Sequence, residues 1–189
     1  MANFKVFYDA CVFYPAPLRD LLIQLAISEL FRAKWSNRIH DEWIRNLRKK
    51  RPDLSIEHLE RTRKLIDGAV MDSLVEGFED IESSLNLPDP DDNHVLAAAI
   101  VSGCNVVVTF NLKDFPQTEI GKYNIEAQHP DDFFMYLTDL NKDKFLSAIR
   151  AVRLRLKNPP KSIDEYLETL QIQNIPKTVF FLEKHSSYL

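Results

Sequence analysis

Four acidic positions from distant parts of the 189-residue chain fall where a strand ends or where a helix begins or presents its rim: Asp9, Glu42, Asp92 and Asp114, with Asn111 beside the last. Hard divalent cations such as Mg2+ or Mn2+ take several oxygen ligands in octahedral geometry, and carboxylates of like charge pack together only when a cation compensates them. An ion held among such groups can orient and deprotonate a water and stabilise charge on an in-line phosphoryl transition state. Taken singly the residues are weak signals, since an Asp after a strand or at a helix N-terminus is structural more often than not. The histidines His40, His58, His94, His129 and His185 are scattered, and this chemistry needs none of them. His94 reads as a helix-surface residue rather than a general base.

Gathering these groups requires strands that end on one edge. Phe4 to Tyr8 is a short run of aromatic and β-branched residues that ends at Asp9 and suits a central strand. Val106 to Phe110, followed by Asn111, reads as a second, continuous buried strand, and Ile125 to Ala127 as a third. Tyr14-Pro-Ala-Pro17 leads into a helix from about Leu18, with Leu18, Leu21, Leu22 and Leu25 on one wide apolar face. Ser36 is the N-cap expected for a second helix, in which Ile39, Trp43 and Leu47 recur every fourth residue. Glu42 then lies about 60° from Ile39, at the rim of that stripe, and faces a cleft while the helix stays packed. Asp41, about 100° further round, reads as solvated.

Residues 56 to 81 read as helical, with Gly68 and Gly77 leaving the boundaries open. Leu87-Pro-Asp-Pro-Asp-Asp92 is a turn whose Asp91 or Asp92 caps a helix through Val95, Leu96 and three alanines, which Gly103 ends. His129-Pro-Asp-Asp132 opens another helix through Leu137. Strands alternating with helices give an α/β fold, a parallel sheet flanked by helices on both faces, with the site at the carboxyl ends of the strands. After about Leu140 the character changes. Lys142 to Lys157 is a basic amphipathic helix, Asn158-Pro-Pro160 breaks it, and Ser162 with Glu165 forms a capping box for a further helix. The organisation expected is therefore a domain over residues 1–140 and a small all-helical C-terminal appendage over 141–189.

Composition narrows the class. The chain is long enough to bury one full core. Cys11 and Cys104 form neither a disulfide framework nor a zinc-type spacing, and they read as reduced thiols of a cytoplasmic protein. The N-terminus lacks an uninterrupted apolar stretch and does not read as a signal peptide. The longest apolar segment, Val95 to Phe110, is short of the roughly 20 residues of a spanning helix, so no membrane is expected as a partner. A net charge of −4 argues against a general nucleic-acid coat but not against a nuclease, whose carboxylates lower net charge by themselves. Basic residues are concentrated locally, at Arg45, Arg48, Lys49, Lys50 and Arg51 and again at Arg150, Arg153, Arg155 and Lys157; solvated helix faces are the default reading. A dinucleotide-binding domain is excluded by the absence of a glycine-rich loop after the first strand. A phosphatase or receiver domain is disfavoured because Asp9-Ala-Cys11 offers a single acid there.

Three strings are more specific: Val6-Phe-Tyr-Asp-Ala-Cys-Val-Phe-Tyr-Pro-Ala-Pro-Leu-Arg-Asp20, Pro88-Asp-Pro-Asp-Asp-Asn-His-Val-Leu-Ala-Ala-Ala99 and Val107-Val-Thr-Phe-Asn-Leu-Lys-Asp-Phe115. In order and spacing they resemble the PIN-domain nucleases over about residues 4 to 137, most closely the branch that includes VapC-like toxins. The helical appendage resembles the C-terminal extension of some of those proteins. The resemblance implies Asp9 as the strand-end aspartate, Glu42 as the glutamate of the second helix and Asp92 as the aspartate before the alanine run. Asp91 is a one-residue rival, and Asp89 reads as a turn residue. Where many members carry a further aspartate two residues after the strand threonine, this chain has Asn111; either its amide oxygen or Asp114 completes the set.

The catalytic set implied is thus Asp9, Glu42, Asp92 and Asp114, with Asp9, Asp92, Asp114 and Asn111 toward Mg2+ or Mn2+. Arg19, Thr109 and Lys113 are the candidate substrate contacts, with an ion pair to Asp20 or Glu42 as the alternative for Arg19. Trp35, Trp43, Tyr8 and Tyr14 could stack on bases, although core packing is the default. The activity implied is hydrolytic endonucleolytic cleavage of RNA leaving a 5′-phosphate. The partners implied are the RNA, a small cognate antitoxin protein and a second copy in a homodimer. A housekeeping RNA-processing nuclease and a catalytically silent binding module of the same fold are the alternatives.

Overall fold

The computed structural model describes residues 4–189. β1 (Lys5–Tyr8) is followed by a one-turn helix α1 (Ala10–Phe13), then α2 (Ala16–Ile27), β2 (Arg32–Ser36) and α3 (Asn37–Lys50). Next come α4 (Ile56–Ala69), β3 (Leu74–Val75), α5 (Glu79–Glu82), α6 (Asn93–Ser102) and β4 (Val106–Val108). The chain ends with α7 (Gln117–Ile120), β5 (Glu126–Gln128), α8 (Pro130–Arg155), α9 (Ile163–Gln171) and α10 (Pro176–Glu183).

The strands form one parallel sheet in the order β3-β2-β1-β4-β5. From β1 the chain steps outward through β2 to β3, then crosses back to place β4 on the other side of β1. The order reverses between β1 and β4, and such switch points leave a crevice beyond the carboxyl ends of the strands. Asp9 and Thr109 stand at that point, with the Asp9 amide donating to the Val108 carbonyl at 3.2 Å. Helices cover both faces, as the sequence implied. α6, all but apolar through Val95, Leu96 and its alanines, packs across β1, β2, β3 and β4. On the opposite face Tyr8, fully buried, donates its hydroxyl to the Leu22 carbonyl of α2 at 3.3 Å.

Two local expectations are corrected. β2 was not anticipated, because Arg32 and Lys34 interrupt its apolar pattern. Lys34 reaches past the end of the neighbouring strand to the Asp72 carbonyl, so its charge costs the buried pair Ala33 and Trp35 little. The helix expected over residues 56 to 81 stops at Ala69; Asp72 (φ 58°) and Gly77 (φ 73°) turn the chain in left-handed conformations around β3, which glycine and short polar residues tolerate. The two helices expected on either side of residue 140 are present within α8 and meet at Asn141 (φ −161°, ψ 92°), an extended residue whose Oδ1 accepts from the Lys144 amide at 3.0 Å and caps the second helix.

α8 ties the C-terminal helices to the sheet. It packs on α2 at one side and on α10 at the other. Asp131 in its first turn is buried and caps α10 from outside, accepting from the amides of Lys177 (2.9 Å) and Thr178 (2.8 Å) and from the Thr178 hydroxyl (2.7 Å). These are charge-assisted bonds to donors that a helix start leaves unpaired. The Ser162–Glu165 capping box at the start of α9 is present in both directions. Among the described residues no helix is long and apolar enough to cross a membrane.

Candidate active site

Asp9 is 4% exposed, and one of its oxygens is already engaged. Oδ2 accepts the Thr109 hydroxyl at 2.6 Å and the Cys11 thiol at 2.9 Å. Burial, followed by the charge of Asp9 beside it, pushes the Cys11 thiol well up, so it stays protonated and acts as a donor. Thr109 Oγ1 in turn accepts the Asn111 amide at 2.9 Å, and Cys11 Sγ accepts the Phe110 amide at 3.3 Å. The ends of β1 and β4 are thereby locked together, and among the described residues the second Asp9 oxygen has no hydrogen-bond partner.

Asp92 ends a 3-10 turn (Pro90–Asp92) and occupies the N-cap position of α6 without spending its carboxylate on a cap. Asp89 does the turn's work, accepting from the Asp91 amide at 3.0 Å, while the Asn93 side chain holds the Leu87 amide and the Leu85 carbonyl. Partial burial, then the charges of Asp9, Asp89, Asp114 and Glu42, raise the Asp92 carboxyl to about 7. The structure therefore brings Asp9, Glu42, Asp92 and Asp114 into one electrostatic neighbourhood. Asp114 is half-buried in a second 3-10 turn (Leu112–Asp114), with Asn111 and Lys113 exposed beside it. Among the described residues no three carboxylate, imidazole or thiolate groups stand close enough together to enclose an ion. The acids act on one another through space without meeting at a single point. Their oxygens are the hard donors that Mg2+ or Mn2+ prefers.

A sequence profile described as "PIN domain" matches residues 5–113, more than half of the chain. The chain belongs to the PIN-domain family. A second profile, "VapC50 C-terminal domain", matches residues 130–184 of this PIN protein, the stretch that carries α8 to α10. The chain is 35% identical over 94 residues to a Mycobacterium tuberculosis protein named "Putative ribonuclease VapC50". That alignment covers 50% of this chain and 55% of the relative, so it spans about half the length of the curated relative. Together these matches place the chain in the VapC-like branch with a C-terminal extension. No solved structure gives a significant match.

Several roles expected from sequence change in the PIN fold. Arg19 is 7% exposed; its Nη1 donates to the Phe13 carbonyl at 2.8 Å and its guanidinium lies 4.7 Å from the centre of the Trp43 ring. It pairs with neither Asp20 nor Glu42, and an enclosed cation stacked on an aromatic is a brace for α1 and α3, not a phosphate contact. Thr109 is fully buried and positions Asp9 instead of meeting substrate. Trp35, Trp43 and Tyr8 are core residues, and Asp41, exposed as expected, pairs with Arg63 at 2.9 Å.

His94 is the largest departure. It is fully buried on α6, with Nε2 2.7 Å from Glu42 Oε1, although neither ring nitrogen is aligned for a hydrogen bond with the protein. The sequence reading placed it on the helix surface. The all-apolar neighbours Val95 to Ala99 were the signal that this helix is buried all round. His94 and Glu42 come from different helices, so their contact fixes where the carboxylate sits. His94→Phe, which keeps the volume and loses Nε2, is expected to reduce cleavage about 10- to 100-fold while the chain still melts cooperatively. Unchanged turnover in that variant would show that Glu42 needs no such support.

Proposed function

We propose that this PIN protein is a metal-dependent endoribonuclease acting as the toxin of a type II toxin–antitoxin pair, hydrolysing RNA phosphodiester bonds in the cytoplasm. One observation supports it above the rest: partial burial, then the charges of Asp9, Asp89, Asp114 and Glu42, raise the Asp92 carboxyl to about 7, and a divalent cation would relieve that crowding of negative charge. The name of the half-length relative, a ribonuclease, agrees with that chemistry. Asp9, Asp92 and Asp114 would hold Mg2+ or Mn2+, with the Asn111 amide oxygen as a further ligand. The ion, when bound, supplies a water of lowered pKa and compensation of charge at phosphorus.

The chain's own residues prepare that site. Thr109 and Cys11 fix Asp9 through Oδ2, so Oδ1 would be the oxygen offered to the ion. Glu42, held by His94 at Oε1, keeps Oε2 for a proton from the attacking water. Lys113, exposed beside Asp114, is placed for a phosphate. Residues 1–140 are the nuclease unit and 141–189 the extension, divided at the Asn141 kink, and the partners are RNA, a small antitoxin and a second copy of the chain.

Purified protein with Mn2+ or Mg2+ is expected to degrade single-stranded RNA and to stop on addition of EDTA. Expression is expected to arrest growth, and co-expression of a small protein encoded next to the gene to relieve it. Cleavage without growth arrest would instead assign a housekeeping RNA-processing role. No cleavage with either ion would leave a silent module of the same fold.

A further inference from the structure

α3 carries Glu42 into the active site and continues away from it for two more turns. Along that face two grooves adjoin. The first, about 420 Å³, is lined by Arg38, Asp41, Glu42, Arg45, Asp91 and Asp92. The second, about 510 Å³, shares Asp41 and Arg45 with it and adds Arg48 and Lys49 over an apolar floor that includes Pro52 and Ile56. The acids bordering the second groove are already compensated: Arg63 pairs with Asp41 at 2.9 Å and approaches Glu60 at 3.7 Å. Arg38 is likewise spent on Glu82 at 2.7 Å and Arg51 on Asp53 at 2.7 Å. Arg45, Arg48 and Lys49 take part in no ion pair among the described residues, and all three are exposed.

A patch of unpaired cations, Arg45 with Arg48 and Lys49 about one helical turn further on, opening onto an acidic catalytic crevice, has the charge pattern for a polyanion whose reacting phosphate lies among the carboxylates. We infer that the α3 groove is the binding track for single-stranded RNA on one side of the scissile bond, with Arg45, Arg48 and Lys49 contacting consecutive phosphates. The inference deepens the ribonuclease reading and rests on it for the identity of the polyanion. An acidic protein segment is the competing occupant, but continuity with Glu42 and Asp92 favours the substrate.

The test is binding of a fluorescent single-stranded RNA oligonucleotide to the full chain in EDTA, where no cleavage occurs. Arg45→Ala, Arg48→Ala and Lys49→Ala together are expected to weaken binding at least about tenfold and to lower the salt slope by about 2, at roughly 0.7 for each phosphate no longer neutralised. A control of equal charge, Lys142→Ala, Arg150→Ala and Lys157→Ala on the C-terminal helices, is expected to bind nearly as the parent does. Equal weakening in both triples, no weakening in the α3 triple, or no RNA binding by the parent would overturn the inference. Competition by poly-glutamate as strong as by RNA would also overturn it. A chain that binds RNA through α3 yet never cuts keeps this inference and loses the ribonuclease reading; one that cuts RNA with the α3 triple binding normally does the reverse.

Discussion

Asp9→Asn is expected to lower RNA cleavage by about a thousandfold, roughly 4 kcal/mol of transition-state stabilisation. Asparagine keeps the shape and can still accept the Thr109 hydroxyl through its amide oxygen, so the junction between β1 and β4 survives. What is lost is the charge. Asp9 is the buried acid on which Thr109 and Cys11 both converge, and the first of the charges acting on Asp92. Removing it weakens the hold on a cation and lets the Asp92 carboxyl fall from about 7 toward its ordinary 3.8. Single-turnover cleavage with saturating Mn2+ and an Asp92 titration measure the two consequences separately. If the asparagine variant cuts as fast as the parent, the carboxylate mechanism is wrong whatever Asp92 does.

The second large effect is on stability. Because the folded Asp92 carboxyl titrates near 7 and the unfolded one near 3.8, the folded chain binds the proton more tightly between those values. Stability is therefore lost as pH rises from about 4 to 7 and is flat above. With Asp92 only partly buried, solvent screening reduces this to about 2 kcal/mol. A divalent cation binding the ionised cluster reverses the loss. At pH 7.5 saturating Mn2+ is expected to raise Tm by on the order of 5–10 °C, and by clearly less at pH 5, where Asp92 holds its proton. Asp92→Asn is expected to raise the metal-free Tm at pH 7.5 and to remove most of the Mn2+ response. Equal Mn2+ shifts at pH 5 and pH 7.5 in the parent would mean that the ion binds away from Asp92.

The elements most legible in the sequence were those whose signal is local. Phe4 to Tyr8, with Lys5 its one charge, and Val106 to Val108 are short apolar runs, the Ser36, Ser162 and Gly103 caps are single-residue signals with a stereochemical cause, and each stands where it was expected. β2 and β3 were not legible, because a charged or two-residue strand carries no periodicity of its own. They exist as strands through β1 and the turn at Ser73, whose carbonyl takes the Trp35 amide at 3.0 Å. In the candidate site, residue types and order together with the resemblance to PIN-domain nucleases pointed to Asp9, Glu42, Asp92 and Asp114. The roles of Arg19, Thr109 and His94 were not readable. An arginine near a strand end is the same letter whether it meets phosphate or lies on Trp43, and only the packing of α1 and α3 decides which.

By itself, the sequence determined the α/β architecture and offered the acidic candidates after β1 and β4, on α3 and before α6, because strand runs, caps and breakers act over a few residues. Only the tertiary structure decided what those acids experience. The contact of His94 with Glu42, the grip of Thr109 and Cys11 on Asp9 and the elevation of Asp92 all join residues from different elements. Charge acts through space, so the same few residues acquire their chemistry only when the sheet order, reversing between β1 and β4, brings them to one edge.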